Sequence, residues 1–112
     1  MNKVMLTGRI VAPIVLQHVG GSNTPFTKVL LDVDDLVQNK NRKWETRVER
    51  YQVEIWRSRA RYASEEFCVG DYVEVEACLR DTPDGIKLEA KEIVRCGAPK
   101  NDQPGTNSRS AG

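Results

Sequence analysis

The chain has 112 residues and a formal net charge of +1, and charged residues make up 29% of it. That length predicts one domain with one modest core. Near-neutrality excludes a protein that holds nucleic acid by bulk charge. Binding of that kind needs a local basic patch, or positive charge gathered on one face of an oligomer.

Other classes fall away on composition. There is no long apolar run, so no membrane span is expected. Met1-Asn2-Lys3 leads directly into a strand-like segment with no signal-peptide pattern. Cys68, Cys78 and Cys96 are isolated, with no C-x-x-C pair, and His18 is the only histidine. That is a poor zinc set, and it reads as three reduced thiols of a cytoplasmic protein. No Ser/His/Asp or Cys/His constellation is readable. Gly20-Gly21-Ser22-Asn23 is a turn signal without a P-loop lysine. Asp34–Asp35 and Glu65–Glu66 look like strand-end and helix-surface charges. The expectation is a non-catalytic protein with no cofactor and no metal.

In chain order, Asn2–Ile10 alternates loosely around Val4, Leu6 and Ile10 and predicts a first strand. Gly8 within it suggests a bulge or sharp bend, which would let one strand serve two sheets of a barrel. Ile14–Val19 continues extended, and Gly20 to Pro25 is a turn. Phe26–Val33 is the second strand, with Val29, Leu31 and Val33 inward and Lys28, Leu30 and Asp32 outward. Gln38–Lys43 is a polar, basic loop. With Trp44 and Arg47 it forms a basic and aromatic cluster that includes Lys40, Arg42 and Lys43. A charged loop is usually a solvated hairpin tip; an exposed indole beside it suggests a use.

Thr46–Trp56 is the third strand. Tyr51, Val53 and Ile55 share the face that can enter a core, with Arg47 and Glu49 ahead of them. Val48, Arg50, Gln52, Glu54 and Trp56 share the other. A ring and a guanidinium on one solvent-facing surface suit the stacking of an unpaired base and the holding of its phosphate. Read from this strand alone, Trp56 fits better as a core or interface residue at the strand's end.

Ser58–Cys68 predicts a helix of about three turns, with Ala60, Ala63 and Phe67 as its apolar stripe. Ser58 is its expected N-cap and Gly70 its stop. Arg57, Arg59 and Arg61 cluster at its start. Asp71–Arg80 alternates strictly, Tyr72, Glu74 and Glu76 against Val73, Val75, Ala77 and Leu79. Pro83-Asp84-Gly85 is a turn. Ile86–Val94 is the fifth strand, and its inward parity shifts before Ile93-Val94, as at a bulge. Residues 1–96 form the expected domain, and 97–112 a disordered tail. Five strands with one helix between the third and fourth is the layout of an all-β OB-fold, a small Greek-key barrel.

The opening N-K-V-M-L-T-G-R-I resembles that of bacterial single-stranded DNA-binding proteins (SSB). The stretch S-E-E-F-C-V-G-D-Y-V-E-V-E-A is similar to that family's passage from helix to strand. The resemblance covers about Asn2 to Val94. It implies an OB barrel that binds single-stranded DNA in replication, recombination or repair, assembles as a homodimer or homotetramer, and sits in the cytoplasm with the nucleoid. Trp56 falls where the family has an aromatic that stacks on bases. Arg50 and Val37 fall where it usually has tryptophans. The Asp81–Gly85 loop is much shorter than the family's hairpin, and the sequence ends without the family's acidic tip. These departures resemble the primosomal replication protein N branch (PriB-type), which leans on basic residues and on replication or primosome proteins as partners. The expected nucleic-acid-binding set is Trp56 and Trp44 as stacking rings, with Arg50, Arg47, Arg42, Lys43, Lys28, Arg80 and Lys87 on phosphates. An OB-fold used for protein contact is the other reading.

Overall fold

The alternating segments pair into one sheet that closes on itself. A computed structural model describes residues 1–97. In chain order the elements are β1 (Val4–Ile10), β2 (Gln17–Val19), β3 (Thr24–Gln38), β4 (Trp44–Trp56), α1 (Ser58–Glu66), β5 (Tyr72–Thr82) and β6 (Gly85–Arg95). The sheet order is β1-β5-β6-β4-β3-β2, and a further β1–β3 pairing closes a five-stranded barrel with β2 as an appended edge. All pairs are antiparallel except β4–β6, which meet through Val53↔Leu88 and Glu54↔Glu89. This is the all-β OB-fold that the element order predicts.

Inward parity builds the core. Val29 and Leu31 of β3, Val53 and Ile55 of β4, and Val73 and Val75 of β5 are buried with Ile10 and Ile93. Ala60 and Ala63 of α1, with Phe67 just beyond it, cover the barrel and are also buried. Thr27 is the one fully buried polar side chain among the described residues. Its hydroxyl donates to the Val15 carbonyl at 2.8 Å, so it pins the segment before β2 to the barrel. At the helix exit, Arg95 donates to the Glu66 carbonyl (2.6 Å) and to the Asp71 carboxylate (3.2 Å). Its guanidinium carbon lies 5.0 Å from the centre of the Phe67 ring.

The structure departs from the sequence expectations in several places. β3 runs on to Gln38, and β4 begins at Trp44, so Trp44 opens a strand instead of sitting in a loop. Of the extended run Ile14–Val19 only Gln17–Val19 is strand. Tyr51 and Leu79, expected inward, are 37% and 45% exposed. Tyr51 stands where β4 leaves the barrel. Leu79 follows a register irregularity at Glu76/Ala77, where Ala77 and Cys78 are both buried. The matching irregularity on β6 lies between Ala90 and Glu92, which accounts for the parity shift before Ile93.

Gly8 marks a close approach, since β1 keeps one register with β5 from Val4 to Arg9 without a bulge. A Cβ there would lie 2.5 Å from the Asp32 carbonyl oxygen. β1 still serves two partners, pairing β3 through Arg9↔Asp32 and Ile10↔Leu31. The helix cap is Arg57, not Ser58, and no side chain caps it. The chain leaves β4 so sharply that Arg57 takes φ 63° and ψ −136°. The helix stops at Glu66, short of the expected Cys68, and Gly70 takes its positive φ of 98° in the turn into β5. Of the expected tail 97–112, all but Gly97 lies outside the described residues.

Candidate nucleic-acid interface

Register decides which side chains share a face, because directly opposed residues in an antiparallel pair point the same way. On the outer face of β3–β4 the pairs are Phe26↔Trp56, Lys28↔Glu54, Leu30↔Gln52, Asp32↔Arg50, Asp34↔Val48, Leu36↔Thr46 and Gln38↔Trp44. Trp56, Lys28, Arg50 and Trp44 therefore lie along one surface. Arg47 does not. It opposes Asp35 on the other face, with Val37↔Glu45 and Val33↔Glu49.

At the barrel end of this surface, Phe26 lies beneath Trp56. Their ring centroids are 4.3 Å apart and the planes tilt by 46°. Phe26 is buried and Trp56 half-buried, so the indole rests on an apolar base and keeps part of its surface in solvent. Lys28 Nζ is 6.0 Å from the Phe26 ring centre. A supported ring beside a cation is a platform on which a flat base can stack. Phe26 is a functional candidate that sequence reading passed over. It has the parity of Lys28, and only the register reveals that it sits across from Trp56.

Next along the surface Arg50 grips Asp32 bidentately, Nε to Oδ1 at 2.7 Å and an Nη to Oδ2 at 3.0 Å. This hydrogen bond to Arg50 holds the Asp32 carboxyl below the usual carboxylate range, and the guanidinium pKa is raised in turn. A groove of about 370 Å³ lies between β4 and the β5–β6 hairpin, lined by residues that include Arg50, Gln52, Glu54, Ile86 and Lys87. Here too cations meet carboxylates: Lys87 Nζ is 3.5 Å from Glu54, and Arg80 Nε 3.4 Å from Glu89. Arg80 and Lys87 oppose each other across β5–β6, next to the Pro83-Asp84 turn.

Beyond Asp32, β3 and β4 continue as a two-stranded ribbon. Trp44 is 66% exposed there, with Leu36 (66%) and Val48 (56%) on the same face. At about 3.4 Å per residue, Trp44 lies roughly 40 Å along the strand from Trp56, so the two rings cannot serve one base. The tip carries Arg42, at φ 63°, and Lys43. Asn39 shapes it: its side-chain oxygen accepts from the amides of Asn41 (2.8 Å) and Lys43 (3.0 Å).

Among the described residues no helix is long and apolar enough to cross a membrane, and Cys68, Cys78 and Cys96 are free thiols. No curated protein matches the chain. Among solved structures it resembles a deletion mutant of the single-stranded DNA binding protein from Thermus aquaticus, with a TM-score of 0.75 and 15% identity, over 87% of this chain. The chain spans about half of that protein, 51%. It resembles the small single-stranded DNA-binding protein of Streptomyces coelicolor, with a TM-score of 0.66 and 20% identity, over 86% of this chain and 95% of the other. The SSB domain of a Synechococcus sp. protein follows at 0.64 and 18%, covering 83% and 93%. At these identities the likeness establishes the barrel. The sequence match is more specific, since residues 1–83 fit the single-strand binding protein family, and the chain belongs to that family.

Proposed function

We propose that the protein binds single-stranded DNA without catalysis and largely without reading sequence, through the outer face of β3, β4 and β6. The observation that carries this reading is the Trp56–Phe26 ring pair, held on the solvent side of a barrel of this family. Bases stack on Trp56, and on Trp44 at the ribbon's far end. Lys28 and the tip residues Arg42 and Lys43 meet phosphates. Arg50, Arg80 and Lys87 do so only by leaving their carboxylates, and Arg47 faces away. Such a protein protects single strands during replication, recombination or repair. It acts as a homodimer or homotetramer, because one barrel offers a strand little groove.

A second reading is the primosomal branch, with affinity from basic contacts and from replication or primosome proteins. Two observations favour it. An ion pair, Arg50–Asp32, occupies the middle of the surface, and an apolar row of Leu36, Val48 and Trp44 stands exposed on the ribbon. A tryptophan-fluorescence titration with oligothymidylate at low and at physiological salt separates the two. Quenching that survives salt supports stacking on the tryptophans. Binding that collapses with salt and hardly quenches supports the primosomal reading. Absence of binding at either salt overturns both.

A further inference from the structure

Arg50, Lys87 and Arg80 on the strands are each met by a carboxylate, whereas a pair of arginines next to the ring platform is not. One residue beyond the Phe26↔Trp56 pair, both strands run into a pocket of about 370 Å³. Its lining is Ser22, Asn23, Thr24, Pro25, Arg57, Ser58 and Arg61. No carboxylate lines it. Arg57 and Arg61 are exposed, and among the described residues neither guanidinium enters an ion pair. The contrast with Arg50, Lys87 and Arg80 is direct, since each of those faces a carboxylate within 3.5 Å.

The backbone at Arg57 gives a second argument. Its φ of 63° with ψ of −136° belongs to a region that side chains disfavour and glycine takes readily. The amide is fixed there by donation to the Pro25 carbonyl at 2.7 Å. A guanidinium has been placed where the fold alone favours no side chain, and it faces a polar pocket that continues the stacking surface.

We propose that this pocket is a phosphodiester site. A strand whose base stacks on Trp56 leaves the platform over Asn23 and Pro25, and its next phosphates sit between Arg57 and Arg61. On this path the phosphate contacts lie at the helix start, and the line Arg50–Lys87–Arg80 contributes little charge. The inference rests on the single-strand-binding reading above and adds to it the direction that the strand takes.

The test is the salt dependence of oligothymidylate binding to the full chain, as log Kd against log salt, read by anisotropy. Each phosphate contact on a single strand contributes about 0.7 to that slope. Arg57→Gly and Arg61→Gln are each expected to lower it by about 0.7, and the double variant by about 1.4. Lys87→Gln combined with Arg80→Gln is expected to move it by less than half as much. Arg57→Gly should also melt at or above the wild-type temperature, so weakened binding there cannot come from unfolding. Free inorganic phosphate at millimolar concentration should not displace the oligonucleotide; displacement would mean a site for the free anion and would overturn the proposal. An unchanged slope in the Arg57/Arg61 double variant, or a larger loss in the Lys87/Arg80 variant, would overturn it as well. Failure of the wild-type protein to bind oligothymidylate at all would instead remove the reading beneath it.

Discussion

In the proposed site Trp56 can serve as a platform because Phe26 fills the space beneath it. Removing the indole exposes a phenyl ring that is too deep to stack well. Trp56→Ala is therefore expected to weaken binding to single strands of any sequence by about 1–3 kcal/mol. Trp56→Phe should recover most of that loss in the same anisotropy titration, and equal affinities for Trp56→Ala and wild type would take this residue out of the site. Two carboxylates make a prediction about pH. Asp32 is held below the usual range chiefly by its hydrogen bond from Arg50. Asp71 is held there chiefly by the Cys68 amide at 3.0 Å, with Arg95 assisting. A carboxyl whose folded pKa is depressed favours folding fully above its unfolded value, about 3.9. That contribution is lost as pH falls from there through the folded value. Denaturant unfolding followed from pH 7 to pH 2 should show a shallower acid loss in Asp71→Asn than in the wild type. An acid limb of unchanged steepness would show that Asp71 carries no such linkage. Parity in the sequence located Trp56, Val53 and Ile55 correctly, because period-two alternation needs no partner strand. Phe26 beneath Trp56, and Asp32 on Arg50, depend on register, which no single strand specifies.

At the scale of elements, the barrel depends on β1 crossing close to β3. A Cβ at Gly8 would lie 2.5 Å from the Asp32 carbonyl oxygen, which leaves no room for a methyl group. Gly8→Ala should force the Arg9↔Asp32 pairing apart and cost about 1–3 kcal/mol in denaturant unfolding. A variant as stable as wild type would mean that β1 can shift without cost. Leu31, fully buried between β1 and β4, gives the reference for core loss. Leu31→Ala should cost about 2–5 kcal/mol by the same measurement. The order of the barrel strands and the helix was legible because each carries its own apolar period. The extension of β3 to Gln38 was not. Asp34 and Asp35 read as strand-end charges, and a ribbon wet on both faces has no apolar alternation to mark it. The helix cap was misplaced by one residue for a similar reason: a backbone break at an arginine leaves no composition signal where a Ser at the next position suggests a cap.

Over the whole molecule, charge is nearly balanced and the balance is local. On the strands Arg50, Arg80, Lys87 and Arg95 face carboxylates, while Arg57 and Arg61 at the helix start enter no ion pair among the described residues. In the proposed binding mode stacking supplies affinity that salt does not screen, and a few phosphate contacts supply the remainder. The fold was legible from the sequence and the distribution of pairing was not, since ion pairs join residues as distant in the chain as Glu54 and Lys87. The two-stranded ribbon has one more consequence. Past Asp32 on β3 and Val53 on β4 no third strand pairs with it among the described residues, and a hairpin of two strands is marginally stable in water. It should therefore open many times while the barrel stays shut, and amides from Val33 to Gln38 should exchange with deuterium well before those of Val29, Val53 or Val75. In the proposed binding mode Trp56 then meets a strand as a rigid surface, while Trp44 must be ordered in the act of binding. The first contact should then be fast and the second slow, and a stopped-flow trace of indole quenching should resolve two phases, the later one lost in Trp44→Phe.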